Sequence, residues 1–262
     1  MKKKNISCFS KITFKCIRWL IRTFYGKTEI IGLENLPPQH TILVANHTQM
    51  NGPIIGELFL PSNCYIWCAG QMMDIKEVPA YAFDDFWSQK PKWTHPFFRV
   101  LSYLIAPLAS CIFNNARTLA VYHDSRVLST FKESITMLQE GKNLLIFPEK
   151  DEKLNNILYQ FQDRFIDLAK LYYRKTGVEL TFVPMYTAPS LHKAYIGQGI
   201  TYNSTNNIAD ERSRIINYLI DEITRIARDL PEHTVIPYRN IPKKYYLSNK
   251  AITEVPHEKT SR

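Results

Sequence analysis

Five short runs of β-branched and aliphatic residues recur along the chain: Thr41–Ala45 (TILVA), Cys64–Cys68 (CYIWC), Thr118–Tyr122 (TLAVY), Asn143–Phe147 (NLLIF) and Leu180–Val183 (LTFV). Most are continuously apolar rather than alternating, the pattern of a strand covered on both faces. Helical periodicity fills the stretches between them. Ser129–Glu140 stops at Gly141, Leu158–Lys175 stops at Gly177, and Asp210–Leu230 stops before Pro231, as helix C-termini do. Strands alternating with helices predict an α/β fold, a single domain with a mostly parallel central sheet flanked by helices. Residues 28–230 form that domain, and 45% apolar content is ample for its core. Residues 84–97 (DDFWSQKPKWTHPF) have no clear period and read as a loop. Residues 231–262, rich in proline, tyrosine and lysine, read as an irregular basic tail.

Residues 1–27 carry Lys2, Lys3, Lys4, Lys11, Lys15, Arg18, Arg22 and Lys27 and no acidic residue. Lys11, Lys15, Arg18 and Arg22 follow helical spacing and form one stripe, while Ile6, Phe9, Ile17, Leu20 and Phe24 fall mostly on another face. That is the pattern of an amphipathic helix lying in a bilayer interface, its cations toward anionic headgroups. A secretory signal is excluded, because a charge interrupts the apolar residues every three or four positions. The longest apolar stretch, Val100–Phe113, falls short of the ~18–20 residues of a spanning helix. It also carries Pro107. The expectation is a peripheral or monotopic protein on the cytoplasmic face of the cell membrane, bound to anionic lipids.

The formal charge of +9 favours a polyanionic partner. No zinc-finger spacing or RNA-binding aromatic signature points to nucleic acid. The five cysteines (8, 16, 64, 68, 111) read as reduced thiols in a reducing compartment. No His/Asp/Glu grouping has metal-ligand spacing, and no Gly-x-Ser-x-Gly elbow or phosphate-binding loop occurs.

Chemistry gathers where strands end. Thr41–Ala45 runs into Asn46-His47, Asn143–Phe147 ends in Phe147-Pro148-Glu149, and Leu180–Val183 runs into Pro184. Ligands of α/β proteins bind at the carboxyl ends of strands, so these three ends predict one crevice. Histidine is the usual base for activating a hydroxyl, a weak nucleophile near neutral pH. His47 is the candidate.

Asn46-His47, Phe147-Pro148-Glu149 and Val183-Pro184 together resemble the first, third and fourth signature blocks of the glycerolipid acyltransferases. In order and spacing they are similar to lysophosphatidate acyltransferases over residues 28–200. The resemblance implies transfer of an acyl group from a thioester to a lysophospholipid hydroxyl. It implies no metal or bound cofactor, since the acyl carrier, coenzyme A or a carrier protein, is a co-substrate. His47 would be the base, with Asn46 and Asn51 positioning it, and Phe147, Pro148 and Glu149 would shape the acceptor pocket.

The chain departs from that pattern in three places. Gly52 stands where an aspartate five residues after the histidine would orient the ring. Asn51, four residues on and sharing a face with His47 if this segment is helical, offers an uncharged amide oxygen instead, and Asp74, Asp84 and Asp85 are carboxylates on other loops. His123 stands where the second block has a phosphate-binding arginine, leaving Arg126, Arg117 and Lys150 as the nearby cations. Lys150-Asp151-Glu152-Lys153 replaces the Gly-Thr-Arg that commonly follows the glutamate. The alternative these departures support is a catalytically impaired, lipid-binding member of the same fold.

Overall fold

The computed structural model describes residues 8–122 and 124–251. In chain order its elements are α1 (Cys8–Tyr25), β1 (Glu29–Ile31), β2 (Thr41–Ala45), α2 (Asn51–Phe59), β3 (Cys64–Ala69), α3 (Val78–Ala82), α4 (His95–Asn115), β4 (Thr118–Val121), α5 (Val127–Gln139), β5 (Asn143–Ile146), β6 (Glu149–Lys153), β7 (Tyr159–Phe161), α6 (Asp167–Thr176), β8 (Thr181–Ala188), β9 (Lys193–Ile196), β10 (Ile200–Thr201) and α7 (Ile208–Asp229). The main sheet has the order β1-β9-β8-β2-β5-β3-β4, with β10 also on β8. Strands β8, β2, β5, β3 and β4 are mutually parallel, whereas β8 meets β9 and β10 antiparallel. All five apolar runs lie in this parallel set, as their two-sided burial requires.

Successive side chains of a strand point to opposite faces, and β2 displays the rule. Ile42 and Val44 join Leu144, Ile146 and Phe182 under α7, whose Ile215, Leu219, Ile223 and Ala227 recur every four residues. Leu43 and Ala45 join Leu145, Val183 and Met185 on the other face, against Ile55 of α2. Helix α7 begins at Asn207, whose side chain accepts from Ala209 N at 2.9 Å and so satisfies one of the donors a helix start leaves free. Gly177 ends α6 with φ 72°, a left-handed conformation in which other residues are strained.

Three expectations are corrected. The stretch 158–175 is helical only from Asp167; Tyr159–Phe161 instead pairs antiparallel with Glu149–Lys153 in a separate two-stranded sheet. Lys150–Lys153 thus belongs to a strand and keeps its side chains exposed. Residues 84–97 are mostly helical turns: Phe83–Trp87 is a π-helix, Lys92–Thr94 a 3-10 turn, and α4 starts at His95. Pro107 sits inside α4. Lys92–Asn115 contains an 18-residue window of mean hydropathy 1.6 and is, by length and composition alone, long and apolar enough to cross a membrane, so Val100–Phe113 understates the run.

Helix α4 turns Ser102, Ala106 and Ala109 inward, toward Met72, Val78 and Ala82. Phe97, Val100, Tyr103, Leu104 and Leu108 remain exposed on its other side. Helix α1 lies against α4, where Asn115 Nδ2 donates to Ser10 Oγ at 2.8 Å. Phe9, Ile12, Trp19, Leu20 and Phe24 of α1 are exposed as well, while Ile17 is half-buried. Its cationic stripe divides: Arg18 pairs with Glu57 at 3.1 Å and Arg22 lies over the Phe59 ring, leaving Lys11 and Lys15 exposed.

Candidate functional site

Strands β2 and β5 are neighbours and parallel, so both release their chains at the same edge of the sheet. That adjacency brings His47 and Phe147-Pro148-Glu149 together. The His47 backbone N–H donates to Glu149 Oε1 at 2.6 Å, and the Tyr159 N–H donates to Oε2 at 2.9 Å. Glu149 thereby stitches the β2 exit to the β6–β7 hairpin. It is almost fully buried, and burial pushes its carboxyl up to about 7, with the two backbone donors opposing that rise.

Asn46 does a different job from the one expected of it. Its Oδ1 accepts from the Thr187 N–H at 2.7 Å and its Nδ2 donates to the Thr187 carbonyl at 3.1 Å. The amide copies a peptide group and extends the β2–β8 ladder by one rung past Ala45. Pro184 does not punctuate a strand end, since β8 continues through it to Ala188 and pairs it with Val44. Thr187, not Pro184, reaches the mouth.

After His47 the backbone reverses through two left-handed residues, Thr48 (φ 47°) and Gln49 (φ 56°). For a β-branched residue this is a strained conformation, costing on the order of 1–3 kcal/mol. Contacts on both sides hold it: Thr48 Oγ1 lies 3.2 Å from Thr187 Oγ1, and Gln49 Nε2 donates to the Arg239 carbonyl at 3.2 Å and to the Tyr246 hydroxyl at 3.0 Å. The turn feeds directly into α2.

The His47 ring lies between two aromatics. Phe147 meets it edge-on with centroids 5.1 Å apart, and Tyr238 does so at 5.7 Å. The residue as a whole keeps some exposure, yet its Nδ1 is buried and has no hydrogen-bond partner among the described residues. Burial lowers the imidazole to about 4, against a weaker opposing pull from the Gln49 backbone. Asn51 does not relieve it: its Oδ1 accepts from the Tyr25 hydroxyl at 2.9 Å, and its Nδ2 donates to the Thr48 carbonyl at 3.0 Å. Asp74, Asp84 and Asp85 make no bond to Nδ1 either.

Gly52 has a steric reason. A Cβ there would stand 2.5 Å from the His47 carbonyl oxygen and 2.7 Å from Cε1 of Phe147. The ring of Phe147 fills the space a side chain at position 52 would need.

The nearby cations are engaged elsewhere. Arg117 pairs with Glu57 at 3.3 Å and donates to the carbonyls of Gly56, Glu57, Leu60 and Pro61, closing the C-terminus of α2. Arg126 is held by Asp124 at 2.7 Å and Glu77 at 2.9 Å, with its guanidinium over the Tyr122 ring. Lys150 pairs with Glu152 at 2.6 Å. Pro148 is buried, its carbonyl accepting from the Gln162 N–H at 2.8 Å. His123 lies outside the described residues. No group of three or more His, Cys, Asp or Glu side chains is placed to hold a metal among the described residues.

Tyr238, Tyr159, Gln49 and Thr187 border the site and were not singled out from the sequence. None belongs to a motif. Tyr238 comes from the tail, which has no periodicity to reveal where it packs.

The chain is similar to the crystal structure of the 1-acyl-sn-glycerophosphate (LPA) acyltransferase, PlsC, from Thermotoga maritima, with 15% identity and a TM-score of 0.46 over 83% of this chain and 80% of that one. No family model matches the sequence, and no curated protein sequence does.

Proposed function

We propose that this chain is a slow O-acyltransferase, moving a fatty acyl group from a thioester to the hydroxyl of a lysophospholipid at an anionic membrane surface on the cytoplasmic side. The observation that carries the reading is the meeting of His47 and Glu149 at the mouths of adjacent parallel strands, through the 2.6 Å bond. In this reaction Nε2 of His47 takes the proton of the acceptor hydroxyl as its oxygen attacks the thioester carbonyl. The C–O bond forms, the C–S bond breaks, and the imidazolium returns the proton to the departing thiolate. Burial keeps the imidazole neutral at pH 7, and its Nδ1–H tautomer presents the basic Nε2. The exposed apolar sides of α1 and α4, with Lys11 and Lys15 beside them, suit the headgroup–acyl boundary of a bilayer.

Slowness follows from the unpartnered Nδ1. A base acting through Nε2 must carry its remaining proton on Nδ1, and a buried N–H without an acceptor costs roughly 1–3 kcal/mol. Loss of the orienting carboxylate costs a serine protease roughly 10⁴-fold for the same tautomeric reason. This observation also favours a second reading, a lipid-binding protein of the same fold that performs no transfer.

Acyl transfer by the full chain on anionic liposomes tests the choice, with several lysophospholipids, both kinds of thioester and His47→Ala as the blank. Transfer lost in the variant is expected. Folded, liposome-bound protein no better than the blank with every pair would leave the lipid-binding reading.

A further inference from the structure

The tail after α7 is an anchored loop. At its neck Val235 N donates to the Leu247 carbonyl at 2.8 Å and Thr234 bridges to Ser248. Buried Asn249 ties the neck to the end of α7 by donating to the Ala227 carbonyl at 2.8 Å, and accepts from His233 N at 2.9 Å. Buried His233 takes a 2.7 Å hydrogen bond with the Tyr186 hydroxyl of β8. These bonds fix where the tip, residues 236–246, must lie. It lies over the site: Tyr238 packs on His47 and on Tyr159, and Gln49 donates to both Arg239 and Tyr246.

The tip delivers a cation to that place. Arg239 is half-exposed and linked to Asp151 of β6 through Nε, at 2.9 Å. That ion pair is made at Nε, the side chain is 54% exposed, and a planar guanidinium fork with further donors suits two phosphate oxygens. Lys243 and Lys244 follow on the same tip, and no acidic residue occurs between 233 and 251. The other arginines near the site, Arg117 and Arg126, have no such edge left.

We infer that Arg239, positioned by Asp151 and carried over His47 by the anchored loop, is the residue that binds the phosphate monoester of the acceptor. The inference rests on the acyl-acceptor reading above and supplies its missing phosphate contact from outside the motifs. The tail thus belongs to the binding site. Asp151, in the position where it opposes an anion if taken alone, instead aims the guanidinium that attracts one.

The test is equilibrium binding of the full chain to short-chain lysophosphatidate and to the monoacylglycerol of equal chain length, for the unmodified protein, Arg239→Gln and Arg126→Gln. The unmodified protein and Arg126→Gln should prefer the phosphate-bearing lipid, and Arg239→Gln should lose that preference by about tenfold while binding monoacylglycerol unchanged. Preference kept in Arg239→Gln, lost in Arg126→Gln instead, or absent from the unmodified protein overturns the assignment. A second measurement separates it from the acceptor reading: phenylglyoxal labelling of Arg239, read by peptide mass spectrometry, with and without inorganic phosphate. If neither lipid binds but phosphate protects Arg239, the lysolipid reading falls and the anion site stands, for free phosphate. Neither binding nor protection sinks the site as well.

Discussion

The His47 N–H and Glu149 Oε1 are joined at 2.6 Å across the exits of β2 and β5, so a buried carboxyl fixes the backbone of the candidate base. Its other oxygen holds Tyr159 N. Because burial raises this acid from its ordinary value to about 7, the folded state holds a proton that the unfolded chain releases. Its contribution is therefore fully present below about pH 4.5 and declines as pH rises to about 7, by on the order of 2–3 kcal/mol. Glu149→Gln removes that decline but leaves one of the two backbone donors short of an acceptor. Melting temperature followed from pH 4.5 to 8 should be lower for the variant at the acid end, with the gap narrowing toward pH 7. A gap that widens with pH would show that the carboxyl is ionised in the folded protein.

His47 works in the opposite sense. Its imidazole is lowered to about 4, so the unfolded chain binds the proton first, and stability is lost as pH falls from about 6.5 toward 4. The expected nitrogen-15 spectrum at pH 6 is that of a neutral ring with the proton on Nε2, because the buried Nδ1 has nothing to donate to. An imidazolium signal at that pH, or a proton on Nδ1, would mean that an acceptor reaches the ring after all. Transfer then runs through the minor Nδ1–H form, which alone presents a basic Nε2, in keeping with a slow reaction.

Restoring the aspartate is predicted to fail. Gly52→Asp puts a Cβ against the His47 carbonyl and the Phe147 ring and carries a charge into a buried turn. The expected loss of stability is about 2–4 kcal/mol in urea denaturation, with no gain of acyl transfer. Gly52→Asp with Phe147→Leu should recover only part of it, because the clash with the backbone carbonyl persists. Full stability in the single variant would show that the α2 start adapts and that Gly52 is not sterically required.

Strand interiors were legible because two-sided burial writes continuous apolar runs, and every one of the five entered the parallel set. Motif order was enough to place His47 beside Glu149, since neighbouring parallel strands must end at one edge. What the residues on their own could not give were contacts set by three-dimensional neighbours. Asn46 reads as a polar positioner and proves to be a ladder rung for Thr187. Arg117 and Arg126 read as free cations until Glu57 and Glu77 arrive from elsewhere in the fold, Glu77 joining Asp124, which stands two residues from Arg126. Tyr159 reads as helical because its apolar neighbours fit either period, and only the pairing of its strand with Glu149–Lys153 decides it. Tyr238 lay in a tail without pattern, so nothing in its surroundings pointed to His47.

The membrane reading makes a demand on α4 that composition did not. Phe97, Val100, Leu104 and Leu108 follow helical spacing and stay exposed, Leu104 at 71%, while Ser102, Ala106 and Ala109 face inward. A helix committed to the domain on one side and apolar on the other suits a bilayer interface rather than a span, since crossing would tear Ser102, Ala106 and Ala109 from their packing. Burying two such large side chains in lipid contributes about 1.5–3 kcal/mol each. Phe97→Glu with Leu104→Glu should therefore weaken sedimentation with anionic vesicles more than tenfold, at unchanged far-ultraviolet circular dichroism. In a Trp19→Phe background Trp93, 83% exposed just before α4, should move to shorter emission wavelength on vesicle addition and stay put when the double substitution is added. Vesicle binding that survives the double substitution would confine the membrane contact to α1.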